Sequence, residues 1–332
     1  MLSDNSRIAV IIPAYKVTDH LPGVVARIGP EVSHIYVVDD ACPHDSGARL
    51  MEQCSDPRVK VIRHEQNQGV GGAVMTGYRA ALADGADVLV KVDGDGQMDP
   101  ALIPRFVQPI IEGLADYTKG NRFFNPEGLQ GMPAVRLAGN AALSFLTKLS
   151  SGYWDIFDPT NGYTAIHADV ARLLPFHKIS NRYFFETDML FRLNILRAVV
   201  VDIPMKAVYG DETSNLRVSR VLTEFFVKHI RNFSKRIFYN YYLRDMNMGS
   251  VALVFGMLLV AFGSLFGLYQ WGASIFSGVT RSTGTVMLAA VSLLAGFQFI
   301  LTFVSHDVAA TPRQPIQRRC RHIDTEATEP SQ

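Results

Sequence analysis

Apolar and polar positions come in short alternating blocks over the first 125 residues. "RIAVIIPAY" (7–15) is a continuous apolar run that predicts a buried strand, and 20–29 predicts a helix. "HIYVVDD" (34–40) predicts a second strand, 45–54 a helix, and "RVKVIRH" (58–64) a third strand. "GVGGAVMTGYRAALADG" (69–85) predicts a helix and "ADVLVKVD" (86–93) a fourth strand. Strands alternating with helices of this length make βαβ units and a mostly parallel sheet. Further on, 126–135 reads as a loop, 136–150 as a helix, and "YWDIFDPTNGYTAIH" (153–167) as turns leading into a short strand. "YFFETDMLFRLNIL" (183–196) predicts a helix and "AVVVDIPMKAVY" (198–209) a strand.

The pattern then changes. From Ser219 to Tyr242 apolar residues recur at helical spacing, with Arg220, Lys228, Arg231, Lys235 and Arg236 between them. Such a basic amphipathic helix suits a membrane interface, and packing on the domain is the other use of its apolar face. From Gly249 to Thr280 there is no Asp, Glu, Lys or Arg, and after Arg281 none again until Asp307. Each stretch exceeds the roughly 20 apolar residues that span a bilayer. The expected organisation is a domain at 1–216, a juxtamembrane helix at 217–246, and spans at about 249–271 and 282–304. A basic tail (305–332) follows, expected to lose order towards its end. Arginines and lysines flank both ends of the hairpin, so the positive-inside bias puts the domain and both termini in the cytoplasm, on the inner membrane. Self-association through the spans stays open.

In open α/β sheets ligands bind beyond the C-terminal strand ends. The polar clusters "PAYK", "DDACPHD" and "DGDGQMD" follow the first, second and fourth strands. A G-x-G-x-x-G turn after the first strand is missing, which sets aside a dinucleotide site. "NQGVGGAVMTG" lacks the Lys-Ser/Thr of a P-loop; its glycines serve either close helix packing or phosphate contact. The net charge of +1 gives no sign of nucleic-acid binding, and three cysteines without metal-ligand spacing fit a reducing compartment.

"KVDGDGQMDP" (91–100) concentrates three aspartates. Counted from Asp93 as a calcium loop, positions 5, 6 and 12 are Gln97, Met98 and Pro104, and that reading fails. A Mg²⁺ or Mn²⁺ ion held by one or two of the carboxylates and by substrate phosphate oxygens is the remaining metal reading. Gly94 lets Asp93 and Asp95 share one side of an extended chain. Asp99, followed by Pro100, reads as the cap of the next helix.

The ordered series "IIPAYK", "VVDDACPHDSG", "NQGVGGAVMTGYRAA" and "VKVDGDGQMDP" resembles glycosyltransferase family 2, over about residues 7–215. Within it the chain looks most like the branch with polyprenyl phosphate acceptors, the dolichol-phosphate mannosyltransferase-like enzymes. The resemblance implies an α/β GT-A fold, an inverting hexosyl transfer, a nucleotide-diphospho-sugar donor and a polyprenyl phosphate acceptor. It implies that Pro13, Ala14 and Tyr15 line the nucleotide pocket and that Asp39 or Asp40 meets base and ribose. Asp93 falls near the nucleotide, and Asp95 and Gln97 match the metal-contacting pair. Arg122 in "KGNRF" would face phosphate, and Asp158 and Asn161 in "DPTNGYTAI" would lie beside the sugar. Glu186 and Asp188 in "FFETDML" match an acidic segment over the acceptor site, and Arg217 would help hold an acceptor phosphate. A phosphate acceptor needs no strong base. A sugar hydroxyl on a lipid-linked or surface glycan, the alternative acceptor, needs one, with Asp188 the first choice and Glu186 behind it.

Overall fold

In a computed structural model, residues 6–124, 134–206 and 218–318 are described. The chain divides into two compact units, one formed by 1–233 with 312–332 and the other by Ser234–Thr311.

The first unit is built on a seven-stranded sheet. Its strands are β1 (Ile8–Ala14), β2 (Val32–Asp39), β3 (Val59–Arg63), β4 (Val88–Lys91), β5 (Tyr117–Asn121), β6 (Thr164–His167) and β7 (Val200–Pro204). The spatial order is β3-β2-β1-β4-β6-β5-β7. β1 pairs in parallel with β2 and β4, β2 with β3, and β5 with β7; β6 alone runs antiparallel, to β4 and β5. Strand order reverses between β1 and β4, and the crevice beyond their C-terminal ends is where this topology places a ligand.

Helices α1 (Leu21–Ala26), α2 (Ser46–Gln53), α3 (Val70–Ala83), α4 (Ile103–Ile111), α5 (Ala134–Ser151), α6 (Ala168–Arg172) and α7 (Phe185–Leu196) complete the layers. Alternate residues of the central strands feed two cores. Val10, Ile12, Val88 and Val90 pack with Phe106 and Ile110 of α4; Ala9, Ile11 and Leu89 pack with Val74 and Tyr78 of α3 and Met189 of α7. The glycines of "NQGVGG" let α3 approach the chain before α7. A Cβ on Gly71 would lie 3.0 Å from the Asn181 carbonyl carbon, so close packing accounts for that glycine.

Helix α8 (Val218–Phe238) uses one side for packing on the first unit. Phe225 meets Phe184 edge-on at 5.3 Å, and buried His229 and Asn232 bond to Ser150 and Asp188. Phe226, Val227 and Ile230 are exposed on the other side.

After the second unit the chain returns to the first. Buried Asp116, just before β5, accepts hydrogen bonds from the backbone N–H groups of Val199, Ile316 and Gln317 at 2.8–2.9 Å. The Gln317 amide donates to the Ile110 and Ala115 carbonyls. The tail is therefore ordered at least to Arg318.

The second unit contains α9 (Met248–Ser277) and α10 (Thr283–Ala309), both long and apolar enough to cross a membrane. Asn247 and Ser250 form a capping box at the start of α9, and Ser282 caps α10. Gly256 and Gly296 allow the two backbones to touch, since a Cβ on either would fall 3.1 Å from the other's carbonyl oxygen.

Candidate active site

A cleft of about 480 Å³ opens at the strand ends. Its walls include Pro13, Ala14 and Tyr15 from the end of β1, Asp40 after β2, Gly69 and Val70 at the start of α3, and Lys91, Asp93 and Asp95 at the end of β4. Arg182, Tyr183 and Glu186 close it from the start of α7. Seven residues expected at the site thus meet in one cleft: Pro13, Ala14, Tyr15, Asp40, Asp93, Asp95 and Glu186.

The β4 loop is tightly folded. Asp95 Oδ1 accepts from the Gln97 N–H at 2.9 Å, Gly96 takes a positive φ of 80°, and the Asp93 N–H donates to Met98 Sδ. Asp99 caps the short turn at Pro100–Leu102 by accepting from the Ala101 N–H, as its spacing predicts. The Gln97 side chain lines the adjoining hollow with Asp99, Leu102 and Arg105. Among the described residues no three His, Cys, Asp or Glu side chains form a cation cage. The donor set, one carboxylate and one amide in a single turn, is hard and oxygen-rich. It suits a Mg²⁺ or Mn²⁺ ion that takes its other ligands from phosphate and water.

The two strand-end aspartates after β2 are scaffolding. Asp39 accepts from the Cys42 and Gly47 N–H groups at 2.8 Å each, and it does not line the cleft. Asp40 accepts from the Gln68 and Gly69 N–H groups and pairs with His64 at 2.7 Å. These bonds fix the loop to α2 and the loop entering α3. Asp39 thus serves the loop alone, whereas Asp40 is bonded within the loop and also lines the cleft.

One residue of the cleft wall was not anticipated from the sequence. Lys91 is 1 % exposed; its Nζ lies 2.8 Å from Asp93 Oδ1 and 3.5 Å from Glu186 Oε1. Burial works against the ammonium, but the two carboxylates outweigh it and raise its pKa. Burial raises the pKa of Glu186, partly offset by Lys91. A lysine on the inward face of "VLVKV" was the available signal. Arg182 and Tyr183 on the rim were likewise not anticipated.

Asp188 does not reach the cleft. Its carboxylate accepts from the Ser180 N–H at 2.9 Å and from the Asn232 amide at 3.1 Å, with Arg192 at 3.5 Å. Two positions along a helix point about 200° apart, so Glu186 and Asp188 cannot share one wall. The preference for Asp188 as base is therefore reversed.

Arg122, Asp158 and Asn161 form a second polar group, around β5. The Arg122 guanidinium grips Asp158 through two bonds of 2.8 and 3.0 Å, and the Asn161 amide donates to the same carboxylate. Burial would raise the Asp158 pKa, but Arg122 and Lys119 hold it low. Lys119 is buried and has no hydrogen-bond partner among the described residues; burial pushes its pKa down to about 8. Arg122 is thus committed to Asp158. Arg217 lies outside the described residues.

The strand order and the polar cleft at the strand ends agree with the GT-A fold. The model of "Glycosyl transferase family 2" matches residues 9–174, and the chain belongs to that family. It is 31% identical to the UDP-N-acetylglucosamine–dolichyl-phosphate N-acetylglucosaminyltransferase of Methanococcus voltae over 66% of this chain and 92% of that protein. It is 32% identical to the undecaprenyl-phosphate mannosyltransferase of Micrococcus luteus over 61% of this chain and 84% of that one. Among solved structures, glucosyl-3-phosphoglycerate synthase of Mycobacterium tuberculosis, determined with Mn²⁺ and UDP-glucose, shares the fold. The TM-score is 0.51 at 18% identity, covering 70% of this chain and 80% of that one.

Proposed function

We propose that the protein is a membrane-anchored inverting glycosyltransferase that moves a sugar from a nucleotide-diphospho-sugar to a polyprenyl phosphate. The observation that carries this is the meeting of Pro13–Tyr15, Asp93, Asp95 and Glu186 in one cleft, on a chain that continues into two membrane-length helices. The relatives' acceptors, dolichyl and undecaprenyl phosphate, supply the acceptor class.

In this reading Pro13, Ala14 and Tyr15 flank the nucleotide, with Asp93 near it. Asp95 and Gln97 would hold a Mg²⁺ or Mn²⁺ ion, which supplies neutralisation of charge on the departing diphosphate. The acceptor phosphate, already an anion, attacks the anomeric carbon on the face opposite the leaving diphosphate; the new C–O bond forms as the old one breaks. Arg182 on the rim meets the incoming phosphate by charge-assisted hydrogen bonds. Asp158 and Asn161 act one layer back, holding Arg122 and the loop at the second polar group.

A hydroxyl acceptor on a glycan would require a base. Glu186, facing the cleft with a raised pKa, is the group equipped for that. The basic residues flanking both ends of the hairpin support a cytoplasmic orientation of the catalytic domain.

The test uses membranes containing the full chain, polyprenyl phosphate, Mn²⁺ and a panel of radiolabelled nucleotide sugars. Label passing from at least one sugar into the organic-soluble polyprenyl phosphate fraction supports the reading. Label appearing only in a lipid-linked glycan overturns the acceptor assignment.

A further inference from the structure

The cleft walls carry Asp93 and Asp95 from one side and Glu186 from the other, and they are to receive a diphosphate as well. Three carboxylates around one anionic ligand repel each other, and Glu186 is itself largely buried. Lys91 is the buried cation between the two walls. Its strand is central, bonded to β1 on one side and β6 on the other, so its Cα is among the least movable points of the sheet. The ammonium reaches Asp93 at 2.8 Å and Glu186 at 3.5 Å. Gly162 in "TNGYT" packs against this pair: a Cβ there would collide with Lys91 Nζ and sit 2.8 Å from Asp93 Oδ2. The backbone is thus shaped around the lysine, and that shape explains a glycine whose role the motif alone does not give.

We propose that Lys91 is a positioning residue of the transfer reaction, tying Asp93 on the β4 loop to Glu186 on α7 so that the two walls of the cleft keep a fixed separation. It acts through the two carboxylates that it pairs with. Lys91 also offsets part of the negative charge that Asp93 and Glu186 bring to the cleft. This inference rests on reading the cleft as the donor site.

The experiment compares the full-length parent with Lys91→Arg, Lys91→Met and the double variant Lys91→Met/Glu186→Gln. The double variant removes a charge of each sign and guards against simple unfolding. Two quantities are read: calorimetric binding of UDP and GDP with Mn²⁺, and kcat and KM for donor in the transfer assay. Lys91→Met is expected to lower kcat/KM by about 100-fold, as expected when one partner of a buried ion pair is lost. Lys91→Arg should recover about a tenth of the parent rate, because it restores charge with altered geometry. The double variant should fold with a parent-like melting curve yet stay as slow as Lys91→Met, since the tie is still broken. A Lys91→Met or double variant with kcat and KM within about twofold of the parent overturns the proposal. A parent that binds neither nucleotide overturns the reading of the cleft, and the role of Lys91 with it. A parent and a Lys91→Met protein that bind and transfer alike overturn the role of Lys91 alone.

Discussion

Two polar regions lie at the same end of the sheet and make opposite use of similar residues. At the ends of β1 and β4, Asp93, Asp95 and Glu186 line an open cleft, with Lys91 buried behind them. Around β5, Arg122 grips Asp158, the Asn161 amide donates to the same carboxylate, and Asp202 accepts from the Asn121 amide and the Phe157 N–H. Charged residues matter to a fold in one way when they complete each other and in another when they wait for a ligand. The exposure of the carboxylates distinguishes the cases, Asp158 being 0 % exposed and the Asp93 side chain 27 %.

That contrast can be broken by substitution. The largest effect is expected at Asp95. Asp95→Asn should lower transfer at least about 100-fold with an unchanged unfolding midpoint, because an oxygen donor to the metal is weakened while the fold keeps its bonds. Arg122→Ala should act the other way. It strands buried Asp158 and should cost about 2–4 kcal/mol of stability, read by denaturant unfolding, the half-exposed guanidinium moderating the loss.

Glu186→Gln and Asp188→Asn sharpen the comparison. With a phosphate acceptor, Glu186→Gln should slow transfer about tenfold, whereas loss of a required base would approach a thousandfold. Asp188→Asn should shift the melting temperature more than the rate, since its carboxylate serves the Ser180 N–H and the Asn232 amide.

The last prediction concerns pH. Lys119 is pushed down to about 8, against an ordinary 10.5. Between those values the unfolded chain holds a proton that the folded chain lacks, so this group makes stability rise with pH across that window. Lys119→Met removes the slope. Its stability relative to the parent should be highest below pH 8 and fall by up to about 3 kcal/mol towards pH 10.5, measured by unfolding at each pH.

Much of the architecture was legible because periodicity carries it. β1 to β4, α3, α7 and the two long apolar helices fall where hydrophobic pattern and length place them. β5 was not legible as a strand, since "YTKGN" has no apolar alternation. It is buried among tertiary partners, Thr118 donating to the Phe106 carbonyl and Asn121 to Asp202. The site divided similarly. Local motif order brought Pro13–Tyr15, Asp93, Asp95 and Glu186 together. The Arg122–Asp158 pair joins residues 36 apart in the chain, and no local pattern reports it. The choice between Glu186 and Asp188 needed only helical geometry, which the sequence already contained. The backbone partners of Asp39 and Asp40 were not legible, because they exist only once the loops are folded.

The most direct test of which region receives the donor is calorimetry of Mn²⁺-dependent UDP and GDP binding to Asp95→Asn and Arg122→Ala, side by side, at a temperature where both are folded. The account predicts that Asp95→Asn loses metal-dependent binding of the nucleotide bound by the parent, while Arg122→Ala binds it with parent-like affinity. Retention by Asp95→Asn together with loss in Arg122→Ala would contradict it, and would move the donor site from the ends of β1 and β4 to β5.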